Sequence, residues 1–254
     1  MLDKGVTFVE LIKQVMKRFL LPVMLLLLLG SCKGPFNKKV KGNGILAKET
    51  RLESGFDKIK VKGPIDLVFQ QSDHFEVVLE AEENILPYIR TRVSGGELIV
   101  DFRDNINVTT HEKTVVYVKA PAFAEFTTAG SGNIKGEEKI NSTGTIRFVT
   151  AGSGDISADV NCPAIIAKIA GSGNISINGE TRDQEIDIAG SGDVDNGHLK
   201  TENTKIKIAG SGSADVHASV KLDISVAGNG NVTYRGNPTI TQKIVGSGEV
   251  KKVN

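Results

Sequence analysis

The sequence predicts an all-β fold: a parallel β-helix, or β-solenoid, with coils of about 20 residues and an irregular, β-rich N-terminal cap. Three observations predict it. The tetrapeptide Ala-Gly-Ser-Gly recurs at 129–132, 151–154, 170–173, 189–192 and 209–212, with variants at 227–230 and 245–248. The start-to-start spacings are 22, 19, 19, 20, 18 and 18. Apolar and polar residues alternate before each tetrapeptide, as in Ile186-Asp187-Ile188 and Ile206-Lys207-Ile208, and a polar-aliphatic pair follows it, as in Asp155-Ile156 and Asn174-Ile175. Finally, the chain holds 28 Gly and no Trp, and only 5 % of its residues are aromatic.

Each observation has a physical reading. A fixed repeat of about 20 residues marks stacked units that bury their faces against neighbours. Period-two alternation marks strands with one buried face. A chain poor in large rings and rich in Ile, Val, Ala and Gly suits a thin core between closely spaced backbones.

Residues 1–31 read as an export signal. Lys17 and Arg18 precede an 11-residue apolar run, Phe-Leu-Leu-Pro-Val-Met-Leu-Leu-Leu-Leu-Leu at 19–29. That run is too short to span a bilayer, which takes about 20 residues. Met16 opens a conventional signal, so it is a candidate true start. Gly5 to Glu10 resemble a prepilin start, but Lys13, Gln14, Lys17 and Arg18 interrupt the long apolar helix a pilin needs. The run ends in Leu29-Gly30-Ser31-Cys32, which resembles the lipobox cut by lipoprotein signal peptidase. Cys32 is therefore the expected lipidation site, with Leu29, Gly30 and Ser31 as the peptidase recognition residues. Several acyl chains on one residue hold a protein at a membrane durably, where a single chain does so only marginally.

Residues 32–43 read as the lipidated cysteine and a polar tether. No acidic run follows Cys32, which points to an outer-membrane lipoprotein on the periplasmic face rather than the cell surface. If Cys32 carries lipid, Cys162 has no disulfide partner and reads as a small buried hydrophobe.

Residues 44–128 read as the wider, irregular beginning of the solenoid, sandwich-like in character. Candidate strands are Ile59-Lys60-Val61, Ile65 to Phe69, Glu76 to Leu79, Leu98 to Phe102 and Val115 to Val118. Pro87 limits a single helical turn near 84–92. Gly63-Pro64-Ile65 and Val93-Ser94-Gly95-Gly96 read as degenerate corners.

Residues 129–254 read as the repeats. Each unit is a strand, a tight glycine corner, a strand and a looser return through segments such as Asn178-Gly179-Glu180. The structural turns are the pairs Gly130 and Gly132, Gly152 and Gly154, Gly171 and Gly173, Gly190 and Gly192, Gly210 and Gly212, Gly228 and Gly230, and Gly246 and Gly248. Glycine permits φ > 0 and close stacking of one corner on the next. At the C-terminus, Lys251 and Lys252 deter edge pairing.

With these residues in view, the chain resembles the DUF2807 family, also called the putative autotransporter-adhesin head GIN domain. The resemblance rests on Phe56-Asp57-Lys58-Ile59, Gly63-Pro64-Ile65-Asp66-Leu67, the Ser-Gly-Gly-Glu-Leu-Ile-Val segment at 94–100, the repeats, and Val232-Thr233-Tyr234-Arg235-Gly236-Asn237-Pro238. It covers roughly Arg51 to Asn254. It implies a right-handed β-helix and a bacterial envelope location, and no proven activity.

Catalytic and metal chemistry find little support. A phosphate loop needs a Lys-Ser/Thr pair opening a helix, and none follows these glycines. Calcium-binding nonapeptides repeat every nine residues, with an Asp where this chain has Ile156, Ile175 or Val194. His74, His111, His198 and His217 show no ligand spacing, and Asp183, Glu185 and Asp187 alternate on one strand face as solvated acids. No catalytic residue, metal or cofactor is expected. The residues after each corner, Asn133, Asp155, Asn174, Asp193, Ser213, Asn231 and Glu249, form one column if coils stack in register. That column reads as a stabilising side-chain ladder, and otherwise as a polar strip facing a ligand.

Charge is balanced, with 31 Lys and Arg against 30 Asp and Glu, so no nucleic-acid partner is expected. The expected function is a membrane-anchored, non-catalytic binding or structural module, adhesin-like, contacting an envelope polysaccharide or a protein. The alternatives are a polysaccharide lyase-like enzyme on the same scaffold and an envelope-stress sensor with a protein partner. The oligomeric state is left open.

Overall fold

The computed structural model describes residues 38–253. The export signal, the lipobox, Cys32 and the first part of the tether lie outside the described residues.

The repeats build a parallel β-solenoid. Strands that precede the glycine corners stack into a first wall, in register. Ala129, Ala151, Ala170, Ala189, Ala209, Ala227 and Val245 each pair with the next along the stack. Strands that follow the corners stack into a second wall, where Ile134, Ile156, Ile175, Val194, Ala214, Val232 and Val250 align in the same way. Inward residues of the two walls form apolar columns, among them Ile169, Ile188, Ile208 and Val226. One stacking error of a single residue would turn these aliphatics out to solvent.

The corners are where coils approach most closely. In the fourth repeat, the amides of Ser191 and Gly192 both donate to the Gly171 carbonyl of the coil before, at 2.9 and 3.2 Å. Gly190 sits at φ +135, and a Cβ on it would run into that same carbonyl oxygen. Gly192 has no positive φ, yet a Cβ there would strike the Gly173 carbonyl. The first glycine therefore meets a conformational and a steric demand, and the second a steric one.

The return is more ordered than the sequence suggests. Ile156–Gly171 and Ile175–Gly190 are continuous 16-residue strands that bend around a third edge and serve both walls. Asn178-Gly179-Glu180 is paired strand, not a loose loop: Val160 pairs with Gly179, and Gly179 with Leu199.

The N-terminal region is not a sandwich. It supplies two further coils, laid out of sequence order. Lys58–Lys62 and Asp66–Gln71 form one coil, with Gly63 at its corner beneath Gly130. The chain then doubles back, so that Glu97–Phe102 and Val115–Ala120 stack parallel on the outer side of that coil. Antiparallel strands close the end: Ile89–Ser94 on Glu97–Phe102, and Leu46–Arg51 on Glu76–Glu82, which pairs in turn with Val115–Ala120. Residues 93–96 are thus a hairpin turn and not a corner. Gly95 and Gly96 both have positive φ, at 60 and 76, as a two-residue hairpin loop between right-twisted strands requires. The single helical turn is Leu86–Tyr88, with Pro87 inside it. Phe69, Phe123, Phe126 and Phe148 fill the wider core here, with Phe69 and Phe126 stacked at 4.1 Å.

Part of the stretch read as tether belongs to the fold. Lys38–Lys41 pairs with Ile106–Thr109. The buried Glu82 carboxylate accepts the backbone amides of Gly44 and His111 and faces the His111 ring at 3.2 Å. Asn84 adds a bond to the Lys41 carbonyl at 2.8 Å. Burial pushes the Glu82 carboxyl up, but the two amides and the imidazole together hold it below the usual range.

Two predictions follow from this packing. Gly190→Ala should destabilise the fold by about 3 kcal/mol, since backbone strain and overpacking each contribute ~1–3 kcal/mol. Gly144→Ala, with open space around it and no positive φ, should change stability little in the same urea titration. For Glu82, a depressed folded-state pKa means stabilisation present above the ordinary Glu pKa and lost as pH falls. Melting temperature should therefore drop more steeply between about pH 6 and pH 3 for the native chain than for Glu82→Gln.

Candidate functional site

The expected polar column exists as a run of stacked residues at the start of the second wall. Its side chains are engaged along the stack. Asn133 Oδ1 accepts the amide of Asp155 at 2.9 Å, Asp155 Oδ1 that of Asn174 at 2.8 Å, Asn174 Oδ1 that of Asp193 at 3.1 Å, and Asp193 Oδ1 that of Ser213 at 2.7 Å. Asn231 does the same for Glu249 at 3.1 Å. Asp66 begins the series by accepting the Asn133 amide at 2.9 Å. Each Asn or Asp of the column thus caps a backbone donor of the next coil, while Ser213 makes no such bond among the described residues. This explains why Asn and Asp interchange: the bond needs only an acceptor oxygen. Asp66 was missed in the sequence because no Ala-Gly-Ser-Gly precedes it.

A concavity lies elsewhere, on the third edge. It is an open trough of about 860 Å³ running across successive coils. The bends of the long strands position its floor, with Asn161 stacked on Glu180 and Glu180 on Lys200. Amide and hydroxyl groups line it at Asn141, Ser142, Asn161, Thr181, Thr201 and Ser219, together with Arg182, Glu202 and His217.

Three of the four charges lining the trough are in ion pairs, Arg182 with Asp183 outside the lining, and Glu202 is in none among the described residues. Lys200 lies 3.5 Å from Glu180, and Arg182 Nε donates to Asp183 at 2.8 Å. Asp183 also accepts from Asn203 Nδ2 at 2.9 Å, and that bond, then the guanidinium, hold its carboxyl below the ordinary range. Beneath the rim, Thr201 donates to the His217 carbonyl, and Thr204 Oγ1 lies 2.7 Å from Thr201 Oγ1. Cys162 is buried at the inner side of the bend, and desolvation pushes its thiol up, away from the nucleophilic thiolate. Asp183, Glu185 and Asp187 do share the outer face of one strand, where Lys205 and Lys168 neutralise Glu185 and Asp187 at 3.2 and 2.9 Å. Among the described residues no group of three His, Cys, Asp or Glu side chains could hold a metal ion.

Sequence reading missed the trough, although a signal was present. A polar residue followed by Ser, Cys or Thr recurs at 141–142, 161–162, 180–181 and 200–201, inside segments taken for loose returns.

Residues 55–238 match the model of the DUF2807 family, described as putative auto-transporter adhesin, head GIN domain. The chain belongs to this family. Solved structures share the DUF2807 fold. A putative adhesin from Bacteroides fragilis is 20 % identical with a TM-score of 0.78, and the match covers 84 % of this chain and 100 % of that one. A putative lipid binding protein from Parabacteroides distasonis is 24 % identical with a TM-score of 0.72, covering 85 % and 100 %. A putative adhesin from the same species is 27 % identical with a TM-score of 0.66, again covering 85 % and 100 %. No curated protein matches significantly.

The ladder yields a prediction. Asp193→Ala should cost about 1 kcal/mol by orphaning the Ser213 amide, and Asp193→Asn should retain most of that stability, both read by chemical denaturation.

Proposed function

We propose that this DUF2807 chain is an envelope lipoprotein, anchored through Cys32, whose solenoid is a non-catalytic, adhesin-like binding module. Its contact surface is the third-edge trough, and its ligand is an extended, uncharged envelope polysaccharide. The observation that carries this reading is the trough's make-up. It crosses several coils, so it suits a polymer, and it offers the exposed side-chain amides of Asn141 and Asn161, suited to sugar hydroxyls. Its lining balances two acids, Glu180 and Glu202, against two bases, Arg182 and Lys200, which favours neither a polyanion nor a polycation.

Several features support binding over catalysis. The trough is open, its Lys and Arg are committed to carboxylates, and Cys162 is held as a thiol. A lyase needs a free base and a cation facing the substrate in a water-excluding groove. The adhesin descriptions of the family and of its structural neighbours support the same reading. In this scheme 1–31 is the removed signal, Cys32 the lipid site, and the periplasmic side the location, since no acidic run follows the cysteine.

A glycan array probed with the 33–254 fragment tests the ligand. Retention of a neutral polysaccharide, weakened at least about tenfold, or about 1.4 kcal/mol, by Asn161→Ala with Asn141→Ala and unaffected by Lys243→Ala, is the expected outcome. Absence of glycan binding, or cleavage of the polymer, defeats the proposal. Cys32→Ala should move the folded chain from the membrane to the soluble fraction, and unchanged retention contradicts the anchor.

A further inference from the structure

The N-terminal end of the solenoid carries a surface that the trough reading leaves unused. Three of the large aliphatic side chains that the fold exposes are spread along one strand there: Ile45 at 55 % and Leu46 at 47 % exposed at its start, and Leu52 at 101 % just past its end, about 20 Å further on. They flank the terminal strand Leu46–Arg51, which pairs with Glu76–Glu82 on one side and has no strand on its other edge among the described residues. Glu49 and Glu80 at this end are neutralised by Arg51 and Lys48, at 3.1 and 3.3 Å. Lys38, Lys39 and Lys41 are exposed nearby on the entering strand.

Chain length says what covers this surface. The entering chain is fixed to the fold from Lys38, through the pairing with Ile106–Thr109, the Gly42 amide on the Thr109 carbonyl at 2.9 Å and the Glu82 and Asn84 bonds. Five residues separate Cys32 from Lys38, and the six steps between them span at most about 22 Å. The opposite end, at Thr239–Gly246, lies about 40 Å up the stack at a strand spacing of ~4.8 Å. An acylated Cys32 therefore holds the aliphatic end within reach of the bilayer and keeps the far end away from it.

From this geometry we infer that the N-terminal end is a membrane-docking face. Ile45, Leu46 and Leu52 enter the interfacial zone of the phospholipid layer that holds the acyl chains, and Lys38, Lys39 and Lys41 meet its phosphates. The inference rests on the anchor reading of Cys32. It adds that the solenoid stands on the membrane by its cap, with the trough running away from the surface.

The chain contains no tryptophan, so a single substitution gives a clean optical reporter. Lipidated full-length Leu52→Trp and Val245→Trp variants are reconstituted into phosphatidylethanolamine–phosphatidylglycerol vesicles, with and without brominated acyl chains. Leu52 is fully exposed and Val245 lies on the last coil, so both variants keep the core intact. The expected result is a blue-shifted emission for Leu52→Trp, quenched several-fold more by the brominated lipid than that of Val245→Trp. Adding Ile45→Asp and Leu46→Asp to Leu52→Trp should abolish the difference. Equal, weak quenching at both positions in protein that still pellets with the vesicles overturns the docking face and leaves the anchor standing. Protein that stays in the supernatant overturns both.

Discussion

Each glycine corner is seated on the backbone carbonyl of the corner before it, and the amides of Ser191 and Gly192 converging on Gly171 show a pattern repeated at 153–154, 172–173 and 211–212, with one such bond at Gly132, Asn229 and Ser247. This contact fixes the distance between coils and the register of everything attached to them. Because Gly171 pairs with Gly190 and Gly190 with Gly210, Ile169, Ile188 and Ile208 fall into one column and their outward neighbours into another. The thin aliphatic interior is possible because no side chain props the corners apart. The fully buried aromatic rings, Phe69, Phe123, Phe126 and Phe148, lie where this constraint relaxes, toward the N-terminal coils.

The outward rows follow from the same register. Stacking at strand spacing places like positions close together, and like charges opposite one another would repel. The first wall avoids this by alternation: Lys168 faces Asp187, and Glu185 faces Lys205 in the following coil. At the head of the second wall, Asn and Asp side chains bond to the backbone instead. The net charge near zero is thus a local arrangement, pair by pair, rather than an average over distant patches.

Much of the architecture was legible because the repeat encodes it directly: a tetrapeptide every coil, and alternation on both sides of it. The two N-terminal coils were legible as strands but not as an order. Nothing in Leu98-Ile99-Val100 announces that it lies outside Lys58–Lys62, because pairing partners across a doubled-back chain leave no local periodicity. Gly95-Gly96 looked like Gly-rich corners elsewhere, and only the antiparallel pairing of Arg90 with Asp101 distinguishes a hairpin. The tether was shortened by a strand whose partner, Ile106–Thr109, is remote in sequence. The trough escaped notice for a different reason: it depends on a bend in a continuous strand, and a bend has no required residue.

The out-of-order cap bears on how the chain reaches its native state. Lys58–Lys62 has a neighbour on each side, one supplied by Glu97–Phe102 and the other by Glu125–Gly130. The base therefore demands contacts between distant parts of the chain, which form slowly because loop closure precedes any reward. Beyond Glu125, every layer is laid upon one already finished, and contacts join residues about one turn apart. A slow, templating base followed by rapid serial growth makes the number of turns a freely adjustable length, so that loss or duplication of one turn alters height without disturbing the foundation.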